Sequence, residues 1–64
     1  HFKTLELVSA SQFLHMFVHI WAMDGEQFWM YITQADATQL IGYIWQKNGW
    51  YFSQIPYEMI DNMR

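Results

Sequence analysis

The fold of this chain turns on residues 13–23, FLHMFVHIWAM, and on the two segments after them, Asp24-Gly25 and residues 26–33, EQFWMYIT. The first run is apolar on nearly every side, so periodicity alone does not separate a buried strand from a buried helix. Composition and context arbitrate. Phe13, Phe17, Val18, Ile20 and Trp21 are β-branched or aromatic, Asp-Gly is a turn dipeptide, and Phe28 to Thr33 alternates like a strand, so the stretch predicts a β-hairpin over 13–33.

Parity fixes its register. A two-residue Asp24-Gly25 loop sets His19 among the cleanest apolar positions of the partner strand, and neither face is then coherent. A three-residue loop Met23-Asp24-Gly25, with Gly25 in the left-handed conformation of a G1 bulge, instead pairs Ile20 with Phe28, Val18 with Met30 and Met16 with Ile32. One face becomes wholly apolar. The other carries Phe13, His15, Phe17, His19 and Trp21 across from Gln27, Trp29, Tyr31 and Thr33.

Outward from the hairpin, Phe2 to Val8 alternates imperfectly and reads as a strand, joined by the small polar run at 9–12. On the other side, Asp36 with Gln39 is a variant of the capping box. Leu40, Ile41, Ile44 and Trp45 then recur at helical spacing, Lys47 suits the negative end of the dipole, and Asn48-Gly49 supplies a stop. These predict a helix over about 36–48, with Gly42 inside it at a cost of about 1 kcal/mol relative to alanine. Trp50 to Ile55 reads as a last strand, and after Pro56 the spacing of Tyr57, Ile60 and Met63 predicts a short C-terminal helix. The expected fold is α+β, one domain over 1–64: a small antiparallel sheet in β-β-β-α-β order, packed by one helix.

Composition narrows the function classes. The 64 residues are 53% apolar and 20% aromatic, which supports a folded core rather than disorder. Lys3, Lys47 and Arg64 face six carboxylates for a net charge of −3, too few cations for a phosphate-binding footprint, so direct nucleic-acid binding is not expected. The longest low-polarity run, 13–23, is far shorter than the roughly 20 residues of a spanning helix, so no membrane span is expected. The absence of cysteine excludes disulfides, thiolate metal sites and cysteine nucleophiles, and leaves the cytoplasm as the default location. A start at His1, without an initiator methionine, reads as a processed chain or an excised piece.

Candidate chemistry is sparse. His15 and His19 share a metal only on a helix; on a strand, four residues at about 3.4 Å each set them too far apart. Ser9, Ser11 and Ser53 lack a nucleophile elbow, and Asp24 and Glu26 flank a wet turn. No enzyme activity, metal or cofactor is expected. What the residues do provide is a surplus of rings. With Phe2, Leu5, Leu7, the even-numbered hairpin positions, the helix stripe and Phe52 filling the core, Phe13, His15, Phe17, His19, Trp21, Trp29 and Tyr31 remain as a second face. The expectation is a small protein-interaction module that buries this face against another protein, most simply as a homodimer. The alternative is a platform where a sugar or planar small molecule stacks on the Trp, Tyr and His rings.

Overall fold

In the computed structural model, which describes residues 11–64, the hairpin forms from β1 (Phe17–Ala22) and β2 (Gln27–Ala35). Its register is the parity-derived one, with Ile20 opposite Phe28 and Val18 opposite Met30. The loop is also as expected: the Ala22 amide donates to the Glu26 carbonyl at 2.8 Å, and Gly25 closes the turn at φ +92°. Asp24 braces it by accepting the Glu26 amide at 3.0 Å.

The ladder begins at Phe17, however, not at Phe13. Residues 11–16 fold into a tight turn in which the Leu14 amide donates to Ser11 and the Met16 amide to Phe13, with His15 in the left-handed region at φ 62°. Phe13 and Leu14 pack against the core from this turn. The strand expected at Phe2–Val8 lies outside the described residues.

The helix expected over 36–48 is absent, and the described residues form an all-antiparallel β-sheet rather than the expected α+β fold. Residues Gln39–Gln46 form β3 and Gly49–Pro56 form β4, paired through Tyr43–Phe52 and Trp45–Trp50. The local signals were real but not specific to a helix. Asp36 Oδ1 accepts the amides of Thr38 and Gln39, both at 2.9 Å, as an N-cap would, yet the chain beyond turns back into a hairpin. A helix of about twelve residues is marginal by itself. With Ile41, Tyr43, Ile44 and Trp45 stiff at χ1 and Gly42 weak in a helix, the segment gains more by pairing along both of its edges. Lys47 and Asn48, at φ 49° and 63°, are the two central residues of a type I′ turn, so the helix stop was a hairpin tip.

The C-terminal helix is likewise replaced, by a single 3₁₀ turn (Tyr57–Met59) and a short strand β5 (Ile60–Met63) that pairs with β1. The sheet order is β4-β3-β2-β1-β5. Strands β4 and β5 therefore lie at opposite edges although only three residues separate them, about 10 Å of chain, and the sheet has to curl for so short a link to cross it. The link is tied at both ends. The Tyr57 amide donates to Thr38 and its hydroxyl to the Asp36 carbonyl, while the Met23 amide donates to Met59. Enclosed by the curl is the core: Val18, Ile20, Met30, Ile32, Leu40, Tyr57, Ile60 and Met63.

The tie at Asp36 has a pH signature. Backbone donation from Thr38, with Gln39 adding to it, holds the Asp36 carboxyl below its ordinary value near 3.8. Its contribution to stability is thus present above that value and lost as pH falls through the lowered one. Thermal unfolding of the wild type and of Asp36→Asn, followed by circular dichroism between pH 6 and pH 2, is expected to show a gap that closes in the acid range; a gap independent of pH excludes this role. Burial, with Asp36 close by, raises the Tyr57 hydroxyl above 10, so it remains a donor at neutral pH.

Candidate functional site

Alternation along β1, β2 and β3 sends one set of side chains into the core, and the opposite set, continued on β4, is rich in aromatic rings. Register aligns Phe17 with Tyr31, Tyr31 with Tyr43, and Tyr43 with Phe52, so one rung of rings crosses β1, β2, β3 and β4. On the adjoining rung, His19 faces Trp29 and Trp45 faces Trp50. The rings touch rather than merely coexist. Phe17 lies 4.8 Å from Tyr31 and 5.7 Å from Trp50, and Trp45 meets Trp50 edge-on at 5.1 Å.

These rings are wet. Phe17 and Phe52 are 60% and 61% exposed, Trp29 51%, and Tyr43, Trp45 and Trp50 more than 40%. Between Phe17, Tyr31, Tyr43 and Trp50 lies an open recess of about 360 Å³, walled among the described residues by those four side chains. His19 sits nearby, flanked edge-on by Trp21 at 4.3 Å and Trp29 at 4.9 Å, its Nδ1 buried with no hydrogen-bond partner among the described residues. At the β5 side the Arg64 guanidinium is drawn over the Trp21 ring, 5.6 Å from its centre.

Of the residues the sequence assigned to this face, Phe17, His19, Trp21, Trp29 and Tyr31 stand together on it. Phe13 and His15 do not. They precede β1, where Phe13 packs toward the core and His15, exposed, donates its amide to Ile32 at 2.7 Å as the chain enters the sheet. Sequence reasoning missed Tyr43, Trp45, Trp50 and Phe52 as face residues, because it placed Trp45 on a helix stripe and Phe52 in the core. The usable signal was strict alternation on either side of a two-residue turn: Ile41, Tyr43 and Trp45 before it, Trp50 and Phe52 after it.

Elsewhere the surface offers little chemistry. A second groove, of about 270 Å³, opens where Ala22, Phe28, Ile44, Ile55 and Met59 meet, with Asp24 and Glu26 at its lip. Among the described residues no group of three or more His, Asp or Glu side chains could hold a metal ion, and no helix is long and apolar enough to cross a membrane. No family model, curated protein or solved structure matches this chain.

Proposed function

We propose that this chain is a small non-enzymatic interaction module that works by burying its outer aromatic face against another protein surface, most simply a second copy of itself. The observation that carries the reading is the exposure of six large rings on one continuous surface spanning four strands. Half-exposed aromatic side chains leave on the order of 100 Å² each open to water, about 600 Å² for the six. Tyr31, Trp21 and His19 add to that, which brings the face close to the ~800 Å² that one partner contributes to a standard interface. Patches of this size are uncommon on monomers. A two-fold axis through the face sets rings on rings and needs no second protein.

Sedimentation across micromolar to millimolar concentrations is the direct test. The mass is expected to rise from one chain toward two as concentration increases, and a mass that stays at one chain throughout overturns self-association. A second reading, binding of a small ligand on the same face, is favoured by the ring-walled recess. A sugar suits that recess poorly, because among the described residues its lining is almost wholly apolar and offers few groups to satisfy the sugar hydroxyls.

A further inference from the structure

We infer that the recess between Phe17, Tyr31, Tyr43 and Trp50 binds an organic cation of the trimethylammonium type, either as a free small molecule or as the methylated lysine of a partner. The inference rests on the outer face being the working surface, and it adds the chemistry of one point on it.

Four ring walls define the preference. A π face is electron-rich, and Trp and Tyr are the strongest attractors of cations among the aromatic side chains. Here one Trp, two Tyr and one Phe converge on a single recess, with no aliphatic or charged wall among the described residues. A bare ammonium or a sugar carries hydrogen-bonding groups that this mostly apolar lining leaves largely unpaired, whereas a trimethylammonium group has charge but nothing to donate, so it loses less on leaving water. The volume of about 360 Å³ lies at the small end for ligand pockets, suited to a compact head group with a chain leading out of the open side.

Two independent features point the same way. The same surface already holds a cation against a ring, since Arg64 lies over Trp21. The chain also carries a net charge of −3, so the approach of a cation is favoured as a whole.

The test uses choline and its uncharged carbon isostere, in which carbon replaces nitrogen, each titrated into the full chain. Tryptophan fluorescence and the ring-current shift of the ligand methyl protons are the readouts. Choline is expected to bind about tenfold more tightly than the isostere, with its methyl signal moved upfield. Phe17→Leu removes an exposed ring but keeps apolar bulk; it is expected to weaken choline about tenfold and leave the isostere nearly unchanged. Equal binding of the two ligands, no upfield shift, or a Phe17→Leu variant that binds choline as the wild type does overturns the inference.

A peptide bearing trimethyl-lysine, compared with the unmodified peptide, identifies the source. Tighter binding than choline indicates a partner side chain, and binding no tighter indicates the free cation. Sedimentation of the same samples keeps the two readings apart. A dimer that ignores choline, at concentrations where half the chains are monomeric, overturns the cation site and leaves self-association standing, whereas a monomer that binds choline does the reverse.

Discussion

Replacing Gly42 with alanine is expected to destabilise the protein by about 3 kcal/mol or more, a large part of the total for a chain of this size. At Gly42 a β-carbon would sit 2.0 Å from the Tyr31 carbonyl oxygen and 3.1 Å from the Ile32 α-carbon, both backbone atoms that a rotamer change does not move. The crowding has a local origin. The β2–β3 register shifts between Ile32 and Gln34, and this bulge brings the β2 backbone down onto Gly42, while Thr33 donates its hydroxyl to the Ile41 carbonyl beside it. A helix over 36–48 demands the opposite sign, since alanine for glycine in a helix interior stabilises by about 1 kcal/mol. Urea unfolding of Gly42→Ala, read by circular dichroism, therefore separates the two folds by the direction of one shift in midpoint.

The second large effect is on association. A double variant, Phe17→Ser with Phe52→Ser, is expected to remain monomeric where the wild type dimerises, with the dissociation constant raised about a hundredfold or more. Its monomer stability is expected to fall by about 1 kcal/mol at most, because both rings are about 60% exposed and neither belongs to the buried cluster. The contrast at Phe52 is informative. As a core residue, which is how the sequence alone placed it, its loss would cost about 3–5 kcal/mol of folding stability. Sedimentation and urea unfolding on the same variant divide the two roles: a folded monomer supports the aromatic interface, and a folded variant that still dimerises like the wild type rules out these rings as its centre.

How much of the fold was legible in the sequence differs along the chain. Between Phe17 and Thr33 nearly everything was, because parity admits only one register with a coherent apolar face and Gly25 supplies the one residue that closes it. Five of the outward rings followed from the same parity. From Asp36 onward the local signals were shared between two structures. An aspartate that accepts amides two and three residues on begins a helix or a turn equally well, and Leu40, Ile41, Ile44 and Trp45 fit a helical stripe as readily as they split between the faces of a strand. Missing that split hid Tyr43, Trp45, Trp50 and Phe52 from the face.

The sequence by itself determined the surplus of aromatic surface, the scarcity of fixed cations, the lack of thiols, and the register of the first hairpin, all of which depend on composition or on pairs near in sequence. Only the tertiary structure decided that residues 39–46 are a strand and that nine rings of four strands share one surface. The reason is physical. A segment of weak helix propensity takes its conformation from the partners on either side, and those partners, β2 and β4, exist only once the sheet has assembled.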